Sequence, residues 1–382
     1  MRPVVGTDQR ALVDTVRAFA RERIAPLVVE GERVGNLPRA LFGELARLGV
    51  LGMTLPAEHG GLGVDTVTHA LVLEELAAVW PSLAVAVSVN NGIAADVLVR
   101  YGTREQHDRW LPRLRDGSGL AAFSLTESRS GSDAARLAAT ARRDGDGWRV
   151  SGSKLFVTNA RYSPVIVVLA RVGAIDLERP HRGITAFLVP GEADGLTVGK
   201  HEEKMGLWAS DTSAIALDEV RVGADGVLGE AGDGFRIALS GLDVGRIGIA
   251  AQAVGIARGA LDLARAYARE REQFGRPIAS FQAVQWMLAR AATEIEAARL
   301  LALRAASLKD EGKPFGTEAS KAKLYASEAA NRAVYAATQV FGGYGYMREY
   351  AVERYYRDAR VTAIYEGTSE VQRMVIAREL LR

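Results

Sequence analysis

Two stripes of mostly small apolar residues constrain this chain more than any other feature. Phe281, Val284, Leu288, Ala291, Ile295, Ala298, Ala302 and Ala305 follow one another by steps of three and four. So do Ala319, Ala322, Ala326, Ala329, Ala333, Ala336 and Val340. That alternation keeps one face of an α-helix apolar over many turns. A helix through Ile247–Glu270 and another ending the chain complete the set, so residues 233–382 are expected to form a four-helix bundle. Alanine along the seam permits close helix approach, and the apolar faces left over predict association with further copies of the chain.

Upstream the texture differs. Residues 1–120 read as helices: Thr7 can cap a segment with Leu12, Val16 and Phe19 on one face, Pro38 opens a second, and Thr68–Trp80 forms a third. Thr103 and Gln106 have capping-box spacing, with Pro112 and Gly117 punctuating the end. Across 121–232, Gly, Ser and Asp separate short β-prone runs at Trp148–Val150, Val165–Leu169, Ile184–Val189 and Ala214–Leu217, and Asp144–Gly147 is a hairpin signal. The expected fold is multidomain α+β: an all-α domain over 1–120, a small β-barrel or sandwich over 121–232, and the bundle over 233–382.

Composition removes several function classes. The 48 Lys+Arg and 46 Asp+Glu leave a net charge of +2, with no basic block for nucleic acid. The chain has no cysteine, which excludes disulfides, thiolate metal sites and cysteine nucleophiles together and fits a reducing compartment. Its five histidines have no metal-ligand spacing, so no metal is expected. The opening MRPVVGTDQR carries no apolar signal-peptide core. The greasiest stretch, 82–99, is interrupted by Asn90, Asn91 and Asp96 and reads as a buried helix, too polar to span a bilayer. A soluble cytoplasmic protein with no membrane segment is expected. The Rossmann glycine fingerprint, the P-loop and the G-x-S-x-G elbow are all absent.

Five segments carry chemistry or an ordinary structural role. Phe123–Asp133 concentrates hydroxyls and turn amides where helices give way to strands, suited to a polar heterocycle or phosphate, or to a capped interdomain loop. Phe156 and Thr158, two apart on a strand, share a face that can cover a flat ring, or simply belong to the strand. Arg271–Pro277 ends a long helix with a guanidinium able to bind pyrophosphate, or merely to complement the helix dipole. Gln339–Gly345 ends another helix with glycines that admit a ligand near the backbone, or that cap it. In Ile364–Gln372, Thr368 or Ser369 can cap the last helix, and Glu366 stands just before it as a candidate general base.

Together, in this order and spacing, these segments resemble the acyl-CoA dehydrogenase family over nearly the whole chain. Ser88–Asn91 and Leu242–Arg246 are similar to its short-chain, butyryl-type members. The resemblance implies helical, β and four-helix-bundle domains, usually in a homotetramer, with FAD at the domain junction and subunit interface. It implies that Phe123, Leu125, Thr126 and Ser132 wall the flavin, with Phe156 and Thr158 at its ring. Arg271, Gln273, Phe274, Gln282, Gln339, Gly342 and Gly343 match positions for the FAD phosphates and adenosine, across a subunit boundary. Thr368 and Glu370 match further FAD positions; Ser132, Asp243, Arg246, Gly367 and Arg378 match acyl-CoA contacts. Glu366 matches the catalytic base. Some relatives carry that base on the helix near 245, but here the position is Gly245.

The implied reaction is α,β-dehydrogenation of a short or branched short acyl-CoA to the trans-2-enoyl-CoA, with electrons passing to an electron-transfer flavoprotein. Burial would raise the pKa of Glu366 and a helix N-terminus would lower it. The chain departs from the family pattern at Phe156 (Trp is usual), Ser128–Ser130 (Pro-Gly-Ala), Trp208 (Arg) and Gly223 (Pro). Competing readings are a flavin oxidase or a dehydrogenase of carrier-protein thioesters, and a catalytically silent helical assembly protein.

Overall fold

The computed structural model describes residues 6–382. The N-terminal part consists of α1 (Thr7–Phe19), α2 (Val28–Val34), α3 (Arg39–Arg47), α4 (Thr66–Val79), α5 (Pro81–Ser88), α6 (Ala95–Tyr101) and α7 (Arg104–Arg115). Thr7 begins α1 but does not cap it. Gly6 holds that place and donates its N–H to the Gln9 side chain at 2.6 Å. α4 starts before Thr68, because Asp65 is the cap and accepts from the Thr68 N–H at 2.8 Å. The capping box of α7 forms as its spacing predicts, with Thr103 Oγ1 accepting from Gln106 N–H at 3.3 Å and Gln106 Oε1 accepting from Thr103 N–H at 3.0 Å.

The stretch Pro81–Tyr101 reaches a mean hydropathy of 1.5, enough for a membrane span by composition, so its polar residues do not exclude one as expected. Its burial does distinguish it, since 89% of that window lies inside the fold. Gly234–Glu270 is a second such helix, 78% buried. The two asparagines sit in the π-turn Val89–Ala94 and act as clamps. Asn90 accepts from Ala121 N–H at 2.8 Å and donates to Leu114 O at 3.0 Å. Asn91 accepts from Gly52 N–H at 2.9 Å and donates to Val50 O at 2.8 Å. Each satisfies loop backbone that would otherwise be buried unpaired.

The middle part is β1 (Ala122–Ser124), β2 (Thr140–Asp144), β3 (Gly147–Thr158), β4 (Val165–Val172), β5 (Ile184–Pro190), β6 (Leu196–His201), β7 (Thr212–Val222) and β8 (Val227–Leu228). They form one continuous sheet in the order β6-β7-β3-β2-β4-β5-β8, with β1 added parallel to β4. The hairpin falls where expected, pairing Asp144 with Gly147. β3 and β7, of 12 and 11 residues, are longer than the short runs read from sequence. Val150, Val168, Phe187 and Ile215 meet in the core, where Trp148 packs edge-on to Phe187 at 5.7 Å.

The C-terminal part is α8 (Gly234–Glu270), α9 (Gln282–Asp310), α10 (Gly316–Phe341), α11 (Val352–Arg360) and α12 (Ser369–Leu380). α8 is 37 residues long and begins well before Ile247, because its first turns pack on the sheet and on α6 rather than in the bundle. A Cβ at Gly255 would lie 2.6 Å from Ala77 Cβ, so glycine there lets α4 cross α8 closely. Ala319, Ala322, Ala326, Ala329 and Ala333 are buried as their spacing predicts, but Ala337 replaces Ala336 in the last turns. A straight helix of 3.6 residues per turn drifts against a strict seven-residue pattern, and the seam moves over by one.

Candidate active site

Glu366 stands in a turn between α11 and α12 whose backbone is left-handed, with φ +52° at Glu366 and +91° at Gly367. A non-glycine residue there is strained and must be held. Gln372 Nε2 donates to Glu366 O at 3.2 Å and to Gly367 O at 3.0 Å. Lys323 Nζ donates to Gly367 O at 2.7 Å. Thr368, not Ser369, caps α12 by accepting from Val371 N–H at 3.3 Å. Tyr365 OH is hydrogen-bonded to Gln252 of α8, which fixes the other end of the turn.

The turn sends the Glu366 side chain to Gly245 on α8. A Cβ there would collide with Glu366 Oε2 and come within 2.8 Å of Ile93 Cδ1. Glycine at 245 is therefore what makes room for the carboxyl. Oε2 is enclosed and has no hydrogen-bond partner, although the residue as a whole is only half-buried. Burial pushes the Glu366 carboxyl up to about 7 against the opposing charges of Lys323 and Arg246. Burial, one of the two effects expected from sequence, is the largest cause of this shift.

Of the expected acyl-CoA residues, Asp243, Arg246 and Gly367 gather here. Arg246 donates to Asp243 Oδ1 at 2.5 Å and to Ser320 Oγ at 3.4 Å, while its Nε is buried without a partner. Burial raises the Asp243 carboxyl above its ordinary range. Ser132 and Arg378 are exposed, and among the described residues no hydrogen bond or ion pair ties them to this group. Arg378 lies nine residues into α12, roughly 14 Å from its start. Beside the turn, Val85, Val89, Leu207 and Ile249 pack with Val361 and Tyr365 into an apolar wall.

The flavin-side residues cluster on β1 and β3. Phe123, Leu125 and Thr126 are half-buried. Thr126 O accepts from Leu155 N–H at 2.9 Å, which joins the two segments. Sequence reading missed the stronger tie beneath them. Lys154, wholly buried, donates to Glu127 Oε1 at 2.7 Å and to Leu125 O at 3.2 Å. Glu127 also accepts from the Ala138 and Ala139 N–H groups at 2.6 and 3.0 Å. The signal was a lysine and a glutamate inside the two singled-out segments, but nothing local pairs them. Phe156 is 64% exposed at φ +58°, within a bulge between Lys154 and Val157 that departs from regular strand geometry. Thr158 beyond it pairs with Thr212 of β7.

A second group lies at the end of the bundle. Arg271, Gln273, Gly342 and Gly343 line a cleft of ≈ 500 Å³ with Tyr267, Phe341 and Tyr344. Arg271 has no carboxylate partner among the described residues and lies 5.6 Å from the centre of the Tyr344 ring. The space over Gly343 is open. Phe274 is 93% exposed at φ +55°. Gln282, Gln339 and Glu370 are exposed and outside the cleft, and Thr368 uses its hydroxyl as the α12 cap. A free guanidinium, aromatic faces and bare backbone suit a pyrophosphate and a heterocycle. This cleft shares no lining residue with the β1–β3 group.

Three family descriptions match in chain order: the acyl-CoA dehydrogenase N-terminal domain over residues 6–118, the middle domain over 122–220 and the C-terminal domain over 232–381. This chain belongs to the acyl-CoA dehydrogenase family. It is 44% identical over 371 residues to the mitochondrial short-chain specific acyl-CoA dehydrogenase of Bos taurus, covering 97% of this chain and 89% of that protein. Butyryl-CoA dehydrogenase from Megasphaera elsdenii superposes with a TM-score of 0.96 at 40% identity, over 100% of both chains. A chain from a structure described as the electron transferring flavoprotein of Acidaminococcus fermentans does so at 0.97 and 41%, again over 100% of both.

Acyl-CoA dehydrogenases are FAD enzymes, and FAD is the cofactor of this one. The residues fit it: the exposed Phe156 offers an apolar face, and the Arg271–Gly343 cleft offers the donors and the room. At Trp208, where Arg is frequent in the family, the indole lies 4.0 Å from the Arg357 guanidinium and 5.3 Å from that of Arg348. Cations thus remain at this surface, supplied from the segment around α11.

Proposed function

We propose that this acyl-CoA dehydrogenase converts a short, or branched short, saturated acyl-CoA to its trans-2-enoyl-CoA, with Glu366 as the base that takes the α-proton. The observation that carries the reading is the Glu366 carboxyl itself: Oε2 is enclosed, unpartnered and turned toward Gly245. A base for a weakly acidic thioester C–H works best when its pKa lies near the working pH, and about 7 meets that need. The Glu366 N–H donates to no acceptor among the described residues and is available to the thioester oxygen as negative charge develops there. Arg246 and Asp243 bind and orient the thioester end, and the turn around Gly367 aligns it. When bound, FAD supplies the acceptor for the β-hydrogen and its electron pair.

Val85, Val89, Ile249 and Leu207 offer no charge to a distal substituent, which supports an apolar acyl group. The short-chain relatives support the same chain length. Transfer of electrons to an electron-transfer flavoprotein is supported by the likeness to a chain in such a structure. Self-association, as in a homotetramer, is supported by the lack of any lining residue common to the β1–β3 group and the bundle-end cleft, since one copy can complete the FAD site of another.

The test is anaerobic flavin bleaching by straight and branched acyl-CoAs. Glu366→Gln should retain FAD and bind acyl-CoA while bleaching slows by about 10³-fold or more. A variant near full rate refutes the assignment. Rapid peroxide formation in air would favour an oxidase, and a colourless protein that takes up no FAD would favour a silent assembly protein.

A further inference from the structure

Lys323, on α10, is completely enclosed. An ammonium taken out of water needs compensation, normally a carboxylate in contact. Lys154 has one in Glu127. Lys323 has none among the described residues, and the acceptor it touches is the Gly367 carbonyl at 2.7 Å. That carbonyl already receives Gln372 Nε2 at 3.0 Å, so hydrogen bonding alone gives no reason for a lysine. What the lysine adds is charge, set directly behind the main chain of the residue that follows Glu366.

We propose that Lys323 is a positioning and electrostatic partner of the base: anchored on the Gly367 carbonyl, its ammonium fixes the turn that aims Glu366 and favours the carboxylate inside a cleft that disfavours charge. The inference rests on Glu366 being the base, and its test separates the two.

The charged and titratable groups around Glu366, Lys323 and Arg246 come from four elements. Lys323 stands on α10, Arg246 and Asp243 on α8, Tyr365 in the turn and Glu370 in the first turn of α12. Arg246 is ion-paired with Asp243 at 2.5 Å, which offsets its pull. Tyr365 is neutral and engaged with Gln252, and Glu370 is exposed. Lys323 is the cation of this set without a carboxylate in contact. Burial lowers it to about 8 while Glu366 opposes that shift, and burial raises Glu366 to about 7 while Lys323 opposes it. Each charge therefore supports the other between those values.

Three substitutions in the FAD-loaded enzyme separate charge from hydrogen bonding. Lys323→Arg keeps both, Lys323→Gln keeps a donor without charge, and Lys323→Met keeps neither. The first readout is the titration of the Glu366 carboxyl by infrared difference spectroscopy, its band identified by its loss in Glu366→Gln. The second is the pH profile of kcat/KM with butyryl-CoA. In Lys323→Gln and Lys323→Met the carboxyl midpoint should rise by about one pH unit or more. Their kcat/KM at neutral pH should fall about tenfold and recover as pH rises. Lys323→Arg should stay near wild type. A midpoint in Lys323→Gln equal to that of wild type overturns the proposal, whatever Lys323→Met does to folding. A shifted midpoint in an enzyme that no acyl-CoA bleaches upholds the coupling and refutes the role of Glu366 as base.

Discussion

Replacing Glu366 by Gln should make the protein more stable above neutral pH while abolishing turnover. The carboxyl titrates near 4.5 in an unfolded chain and at about 7 in the fold, chiefly because burial disfavours its charge. Below about pH 4.5 it is protonated in both states and contributes nothing to pH-dependent stability. As pH rises toward 7, the unfolded chain releases the proton and the folded one keeps it. Stability then falls by about 1.4 kcal/mol per pH unit. Over 7 − 4.5 = 2.5 units the loss reaches about 3 kcal/mol and levels off above pH 7. Glutamine does not titrate and escapes this loss. For 382 residues, at about 2.1 cal/mol/K each, the unfolding entropy is about 0.8 kcal/mol/K, so the gap corresponds to about 4 °C in Tm. Melting both proteins with matched FAD content checks this. They should agree within about 1 °C near pH 5 and separate by about 4 °C near pH 8, with the Gln variant higher. An offset that is the same at both pH values, or one that favours wild type as pH rises, refutes the burial argument.

Gly245→Ala places a methyl against Glu366 Oε2 and Ile93 Cδ1, so the ends of those two side chains must move. Displacing the carboxyl should slow α-proton exchange by about 10²-fold, with about 1–3 kcal/mol lost in urea unfolding; unchanged exchange would mean that the base lies elsewhere. Lys154→Met leaves Glu127 buried with two main-chain donors and no cation in contact, Arg171 acting on it only from a distance. That should cost about 3–5 kcal/mol of stability, with part recovered when Glu127→Leu is added, and strict additivity in a double-mutant cycle would deny the pair. A Cβ at Gly343 meets no atom within 4 Å, so melting of the Gly343→Ala apoprotein should not change. FAD retained after gel filtration should nonetheless drop markedly, and full retention would remove the bundle-end cleft from the cofactor site.

The parts of the fold readable in advance were those written in short stretches of chain. The capping box at Thr103 and Gln106 needs only its own residues. The alanine seam of α10 follows from helical period until drift exchanges Ala336 for Ala337. α4 begins at Thr66, two residues before the Thr68 start read from sequence, because Asp65 caps it by accepting from the Thr68 N–H. Mean hydropathy did not separate the Pro81–Tyr101 stretch from a membrane span, because the groups that bury it come from elsewhere in the chain.

The sequence by itself determined the order of helical, β and bundle segments and the family motifs, including a carboxylate beside the last helix. Tertiary structure alone decided what that carboxylate is. Its room comes from Gly245, its unpaired oxygen from the enclosure around it, and its neighbouring charge from Lys323, which meets Gly367 across 44 residues of chain. The Lys154–Glu127 pair, 27 residues apart, is of the same kind. Helical period and capping act within a few bonds of the residue concerned. Burial and charge act through space, and they become fixed only when distant segments pack together.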